Sequence, residues 1–207
     1  QRYVLDHAVL RTYRNGEIVY AIGDSPRGVH ALVDGLAKLT YDTRDGNELL
    51  LKIFSPGDWF GMISLVDALP LPHNARVCST ATVLTLPQSD FEQIVSRRPG
   101  YLRNFSLIMT DNMRHAMERL VDLGTLTPAQ RLAKLLLRVL APVSVDGRAT
   151  AYQEVNISQW EMSSLISASR ATVNKLVKEW SEQGWIDYRY RKLRILDPVP
   201  LAEMIDD

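Results

Sequence analysis

At 207 residues the chain has room for one large or two small domains, and 46% hydrophobic with 23% charged residues is an ordinary globular composition, which excludes disordered and fibrous classes. Its lone cysteine, Cys78, excludes an internal disulfide framework and cannot by itself hold an iron–sulfur cluster or a structural zinc. Lys plus Arg and Asp plus Glu number 24 each, and a net charge of +0 argues against a nucleic-acid partner unless the basic residues are gathered in one place.

No apolar run approaches the roughly 18 residues that span a bilayer, and no charged-then-apolar signal segment opens the chain, so a cytoplasmic location is expected. The first residue is Gln1 and not Met, which leaves an N-terminal extension open. As far as about Pro99, short apolar stretches alternate with turn signals at Asn15-Gly16, Ile22-Gly23-Asp24, Asp34-Gly35, Asp45-Gly46-Asn47 and Ser55-Pro56-Gly57-Asp58. The stretches EIVYAI, VHALVDG, AKLTYD, ELLLKIF and later VCSTATVLTLP read as strands. Turns recurring about every 10 residues predict a β sandwich, jelly roll or barrel, and the lack of strand–helix alternation argues against a parallel sheet.

A jelly roll also serves metalloenzymes of the cupin type, which need clustered ligands. His7, His30, His73 and His115 form no H-x-H pair and have no carboxylate at metal spacing, so each reads as a surface or hydrogen-bonded core residue. No nucleophile elbow, P-loop or dinucleotide fingerprint is present. Neither a catalytic residue nor a metal site is expected, and an enzyme is the weaker class.

From Tyr101 to Leu123 the period becomes helical. Met109, Met113, Ala116, Leu120 and Leu123 fall at alternating spacings of 4 and 3, the seam of a self-pairing helix, while Leu102, Phe105 and Ile108 form a second stripe able to pack back on the β domain. About 23 residues at about 1.5 Å each give a helix of roughly 34 Å. Gly124 is expected to break it. Thr127-Pro128-Ala129-Gln130 starts another, with Thr127 as N-cap, Pro128 at the first helical position and Gln130 closing a capping box. That helix turns Leu132, Leu135, Leu136, Val139 and Leu140 inward and stops before Pro142; Val145-Asp146-Gly147 then leads to a short strand near Tyr152 to Ile157.

ISQWEMSSLISASRATVNKLVKEWSEQGW, Ile157 to Trp185, reads as two helices joined by a tight turn. Ser158 and Glu161 make an S-x-x-E capping box and Ser169 caps the second helix. Leu165, Ile166, Val173, Leu176, Val177 and Trp180 supply the inward face, and Gly184 ends the run. Arg170, Ala171, Thr172, Asn174, Lys175 and Lys178 remain outward, as suits a recognition helix in a major groove, though any surface helical hairpin shares the pattern. WIDYRYRKLRIL follows as a hairpin with a basic turn, Arg189 to Lys192, and favours a winged helix-turn-helix. The charge agrees: residues 124 to 196 hold 11 basic against 6 acidic groups, whereas residues 1 to 123 hold 13 against 14.

Over nearly its whole length the chain resembles the Crp/Fnr family of bacterial transcription regulators. The resemblance is carried by NGEIVYAIGDSPRGVHALVDGLAKL, SPGDWFGMISLV, the long helix, TPAQRLAKLLL and, most specifically, ISQWEMSSLISASRATVNKLV with S-R-x-T-V and L-x-x-x-G-W-I. It implies an α+β fold: a cyclic-nucleotide-binding-like β-roll sensor at residues 1–100, a dimerisation helix and hinge at 101–124, and a winged helix-turn-helix at 125–207. It further implies a homodimer on a palindromic promoter site, usually recruiting RNA polymerase. By this resemblance Ser169 and Thr172 meet phosphates, and Arg170, Ala171 and Lys175 address bases or nearby backbone. The candidate DNA-binding residues are therefore Ser158, Ser169, Arg170, Ala171, Thr172, Asn174, Lys175 and Lys178.

The effector pocket departs from the cyclic AMP-responsive pattern. Where such members carry G-E-L-A and then R-S/T-A, this chain has Gly61-Met62-Ile63-Ser64 and His73-Asn74-Ala75, and the adenine-contacting Thr-Ser pair of the long helix becomes Ala116 and Met117. Arg76 lies three positions beyond the expected arginine, on the opposite strand face from His73. The N-terminal cysteine cluster of oxygen-sensing members is also missing from the sequence, so no iron–sulfur cluster is expected. Cyclic AMP is not expected to be needed for DNA binding. The pocket is filled by side chains, binds another small effector, or holds haem through a histidine as some relatives do; these alternatives stay open. So does a second function, a β-roll sensor that regulates a partner protein.

Overall fold

The computed structural model describes residues 6–44, 46, 48–140, 144–145, 148–149 and 154–206. Of the expected features, Asp45 and Asn47 of one turn, Pro142, Asp146-Gly147 and Tyr152 lie outside the described residues. Two units divide the chain, Gln1–Glu48 with Lys52–Arg119, and Leu49–Leu51 with Leu120–Asp207, so the long helix belongs to both.

The first unit is a β-roll of eight strands, β1 (Val9–Tyr13), β2 (Ile18–Tyr20), β3 (Gly28–Asp34), β4 (Ala37–Asp42), β5 (Glu48–Phe54), β6 (Trp59–Phe60), β7 (Asn74–Val77) and β8 (Ala81–Pro87). They form two four-stranded sheets, ordered β1-β8-β3-β6 and β2-β7-β4-β5. Alternate residues of these strands meet in one core of Tyr13, Tyr20, Leu32, Ala37, Phe54, Phe60, Leu71, Ala75, Val77, Ala81 and Val83. The expected turns form where glycine supplies positive φ, at Gly16, Gly23, Gly35 and Gly57. Gly35 is needed for space as well, since a Cβ there would lie 2.3 Å from the Thr80 carbonyl oxygen. VCSTATVLTLP is not one strand: β7 ends at Val77, the Ser79 hydroxyl accepts a 2.8 Å bond from the Leu36 amide, and β8 starts at Ala81.

Helix α1 (Met62–Asp67) follows β6, and α2 (Gln88–Arg97) leads into the long α3 (Gly100–Thr125). Val29, Met62, Leu86, Phe91, Ile94 and Phe105 form a second core, with Trp59, Ile108 and Met109 packed against it. Phe105 meets Phe91 edge-on at 4.7 Å and Trp59 at 5.9 Å. Two expectations on α3 need correction. Leu102 does not pack on the β-roll but is 47% exposed, and Met109, expected in the self-pairing seam, packs on its own unit's core. Of the expected seam, Met113 at 61%, Ala116, Leu120 at 69% and Leu123 are exposed, and Met117 and Val121 widen the apolar stripe beside them. Met109 lies on the helix face of Phe105 and Ile108, which packs on the second core.

Gly124 does not break α3, which continues through it to Thr125. A mid-helix glycine weakens a helix without stopping it; the stop comes from Pro128, which drives Thr127 to an extended conformation with ψ 159. In the second unit α4 (Pro128–Val139) starts with the full Thr127/Gln130 capping box. Its buried face is Leu132, Ala133, Leu136 and Val139, followed by Leu140 at the cap; Leu135 is half-buried and Ala133 takes the expected place. A hairpin of β9 (Ser144–Val145) and β10 (Arg148–Ala149) precedes β11 (Val155–Asn156), α5 (Gln159–Ile166) and α6 (Arg170–Glu182). β12 (Ile186–Arg189) and β13 (Lys192–Ile195) complete a sheet ordered β11-β13-β12, and α7 (Val199–Asp206), which the acidic tail did not suggest, lies against α4 with Leu201 fully buried.

Candidate nucleic-acid interface and effector pocket

The helix pair of the second unit is built by its caps. Ser158 accepts from the Glu161 amide and Glu161 accepts from the Ser158 amide at 2.7 Å and its hydroxyl at 2.8 Å, closing the expected box. Ser167, at φ 49, turns the chain, and Ser169 caps α6 by accepting from the Thr172 amide at 3.0 Å. Val173, Val177 and Trp180 are buried and Leu176 half-buried, so α6 rests on one face. At its far end Gly184, at φ 76, lets the Trp185 amide reach the Trp180 carbonyl at 2.9 Å.

The opposite face of α6 is solvent. Arg170, Ala171, Asn174, Lys175 and Lys178 line one surface depression of about 570 Å³. Lys175 and Lys178 pair only loosely, at 3.8 Å, with Glu179 and Glu182 one turn on, and Asn174 donates to Gln159 at 3.2 Å. Such exposed pairs are weak and yield readily to a competing anion. The hydroxyls of Ser169 and Thr172 lie 2.8 Å apart beside the N-terminus of α6. Ser158 stands apart from this group: half-buried, its hydroxyl serves the α5 cap.

The wing is tied to the same helices. β12 and β13 close on a two-residue turn, Tyr190-Arg191, after the Arg189–Lys192 pair. The Arg191 guanidinium donates to the buried Glu161 at 3.1 Å, and its carbonyl accepts from the Ile157 amide at 2.7 Å. Arg131 braces the other side, donating from Nε to the Ile166 carbonyl at 2.8 Å and from a terminal nitrogen to the Leu126 carbonyl at 2.7 Å. The second bond satisfies a carbonyl just past α3, so one side chain joins the end of α3 to the end of α5.

The nine residues expected at the effector pocket lie in several settings of the first unit. Met62 is buried in the second core, Ile63 points to solvent, and Ser64 is buried with its hydroxyl toward the Pro70 carbonyl at 3.4 Å. Ala75 belongs to the main core. Asn74 uses its amide at 3.0 Å on Asp42 and accepts from the Ile22 amide at 2.8 Å; Ala116 and Met117 are exposed. Gly61, His73 and Ala75, the last opposite Tyr20 across β2 and β7, border the group that occupies the interior, the rings of Tyr20, His30, Phe54 and Phe60, with centroids 4.7 to 6.1 Å apart. His73 stands 6.2 Å from Tyr20, and a Cβ on Gly61 would lie 2.9 Å from the His30 ring.

The polar atoms of this cluster are neutral at physiological pH. Burial pushes the His30 imidazole down to about 4, and its Nδ1 shares a 2.9 Å bond with the Thr85 hydroxyl. Burial lowers His73 too and raises the Tyr20 phenol. Among the described residues the buried Tyr20 hydroxyl and His73 Nδ1 have no hydrogen-bond partner. Sequence reasoning missed Tyr20, and it missed Lys52, whose ammonium donates to Asn112 at 2.8 Å, pairs with Asp58 at 3.5 Å and lies 5.0 Å over Phe54. Alternation along β5 was the available signal, since Lys52 and Phe54 share a face. Among the described residues no three His, Cys, Asp or Glu side chains could hold a metal ion, and no helix is long and apolar enough to cross a membrane.

An antiparallel β-roll, a long helix and a winged helix pair with a basic outer face define a regulator that joins a sensor-type domain to a DNA-binding one. Residues 10–98 match the Cyclic nucleotide-binding domain family and residues 130–204 the Crp-like helix-turn-helix domain family. A CRP-like cAMP-activated global transcriptional regulator of Mycobacterium tuberculosis is 25% identical over 190 residues, 92% of this chain and 85% of that protein. The transcriptional activator protein FnrA of Stutzerimonas stutzeri is 22% identical over 194 residues, 94% of this chain and 79% of that protein. The structure of FixK2 from Bradyrhizobium japonicum superposes with a TM-score of 0.76 at 20% identity, covering 95% of this chain and 96% of that one. The chain belongs to the Crp/Fnr family and is a DNA-binding transcription regulator, not an enzyme.

Proposed function

We propose that the protein binds an inverted-repeat promoter site as a homodimer, with half-site centres about one helical turn, roughly 34 Å, apart, and that it does so without cyclic AMP. One observation carries the reading: Arg170, Ala171, Asn174, Lys175 and Lys178 share the solvent face of α6, beside its capped N-terminus. Arg170 reads a guanine through paired donors, Lys175 reaches bases or nearby backbone, and Lys178, Ser169 and Thr172 hold phosphates. Ser158 acts through the cap that orients α5. Ala171 offers no acceptor for cytosine, so one base position is loosely specified.

The homodimer reading is supported by the stripe Met113, Met117, Leu120 and Val121, an apolar run along a helix left exposed among the described residues. Nucleotide independence is supported by the sensor interior. The mycobacterial relative is named as cAMP-activated, but a cyclic phosphate entering this β-roll needs a cation or several aimed donors to offset its desolvation. His73 is held neutral, Asn74 is committed to Asp42, and Lys52 is already matched by Asp58 and Asn112. The interior suits ring packing or a small, largely uncharged effector better than a nucleotide, and on DNA the dimer recruits RNA polymerase.

Selection from random duplexes by the purified, ligand-free protein tests this. An enriched inverted repeat, with retention that falls steeply as salt rises, is the expected result. Retention indifferent to salt and sequence would contradict it and turn attention to a partner protein.

A further inference from the structure

Two helices of the second unit, α3 and α5, end without a basic residue in their last turns, so neither offsets the negative end of its own dipole. Arg131 supplies the charge to both. From near the start of the intervening α4 its Nε donates to the Ile166 carbonyl at 2.8 Å, and one terminal nitrogen donates to the Leu126 carbonyl at 2.7 Å and the Leu123 carbonyl at 3.4 Å. A cation near the N-terminus of α4 opposes that helix's dipole, so its placement answers to its neighbours and not to its own helix.

A second pair repeats the arrangement. Asp122 lies in the last turn of α3, the unfavourable end of a helix for an acid, yet its carboxylate is mostly buried and meets the Lys134 ammonium of α4 at 2.8 Å. Only Leu126 and Thr127 separate α3 from α4, and Thr127 is fixed by its capping box and by Pro128. The corner is thus held by a short connection, an ion pair and a guanidinium fork.

What the corner joins gives it a role beyond stability. On one side, Leu120, Val121 and Leu123 of the exposed apolar stripe flank Asp122 on α3. On the other, Ile166 is the last residue of α5, immediately before the turn at Ser167 that leads into α6. The clamp therefore runs from the dimer stripe to the recognition helix.

We propose, resting on the homodimer reading above, that Arg131 and Lys134 are positioning residues for DNA recognition: they set the angle between the α3 seam and α6, and with it the half-site spacing that the dimer accepts. They act through the ends of α3 and α5 and read no base. A fixed angle at this corner also lets α6 stand ready without an effector.

A selection in which spacer length varies together with base sequence tests this. The parent should return one spacer. Arg131→Lys keeps the charge but loses the planar fork that reaches two helix ends. It should accept spacers about one base pair longer or shorter, a shift of about 3.4 Å and about a tenth of a turn, with the parent's base preferences intact. Its affinity for the parent's operator should fall about 10-fold, on the scale of one charge-assisted hydrogen bond. Lys134→Gln should act in the same direction with a loss of about 3-fold. A strict parental spacer in Arg131→Lys would overturn the proposal; so would base preferences lost together with spacing and a lower melting temperature, which would make Arg131 a support of the helix pair's fold alone. If Arg131→Lys does not fold, Lys134→Gln decides: a broadened spacer is expected, and a strict one overturns the assignment. A parent that selects lone half-sites with no fixed spacing would bring down the homodimer reading itself, and the proposal with it.

Discussion

Along α6 and the second half of α3 the chain leaves outside what helices usually satisfy within a fold, while the β-roll draws inside what sheets usually leave to solvent. Arg170, Lys175 and Lys178 hold charge in water, and Met113, Met117, Leu120 and Val121 hold apolar surface there. Tyr20 and His30 are buried polar groups at the inner face of a strand, and Asn74 and Thr40 are buried on the other face of theirs. The difference teaches where a partner is missing. Exposed groups in ordered rows are half of an interface, whereas neutral rings packed on one another, with His30 bonded to Thr85, make an interior that offers an anion little.

The largest effect should come from charging the apolar row. Leu120→Glu places two carboxylates at a mirrored contact, and an unpaired buried charge costs about 3 to 5 kcal/mol. Sedimentation should show monomer for the variant and dimer for the parent; a dimer in both would mean that this row is not the seam.

The closed interior is tested by pH. His30 has a folded value of about 4 against the usual 6.5, so the unfolded chain binds its proton first as pH falls. The stability it contributes is fully present above about pH 6.5 and is lost as pH drops through about 4, in total on the order of 3 kcal/mol. His73, also lowered by burial, adds in the same direction. Denaturant unfolding of the parent should weaken from pH 6.5 to 4, and His30→Phe should flatten most of that slope whatever its own stability. An unchanged slope would mean that His30 is not the buried neutral group described.

These two regions were also unequally legible from the amino-acid sequence. The helix-turn-helix could be read residue by residue because its determinants are local: the boxes of Ser158/Glu161 and Thr127/Gln130, the cap at Ser169 and the spacing of Val173, Val177 and Trp180 all lie within one or two turns. The β-roll interior could not. Tyr20, His30, Phe60 and His73 come from four separate segments, and only sheet register, such as His30 opposite both Phe60 and Thr85, brings them together. Reading the pocket by position against a family pattern did not show that the second core would take up Met62, that Ile63 and Met117 would lie exposed, or that Ala75 would sit opposite Tyr20. On α3, periodicity alone did not say that the second core would claim Met109 along with Phe105 and Ile108.

Two smaller effects sharpen the contrast on the exposed side. Arg170→Ala should cost about 1 to 3 kcal/mol of operator affinity and relax preference at one base position; a selection that returns the parent's preferences would remove the base-reading role. Lys178→Ala should weaken all sequences nearly equally, by less than Arg170→Ala, and flatten the dependence of log K on log salt by about 1. A sequence-selective loss would instead make Lys178 a base contact.

The central claim is that the outer face of α6 is competent while the β-roll stays closed to a cyclic phosphate. It is tested most directly by titrating cyclic AMP into the purified protein during an anisotropy assay with the selected operator. The account predicts full binding before any nucleotide is added and no change through millimolar concentrations. A saturable gain in operator affinity at micromolar cyclic AMP would contradict it, and would mean that the Tyr20, His30 and Lys52 interior opens to an anion.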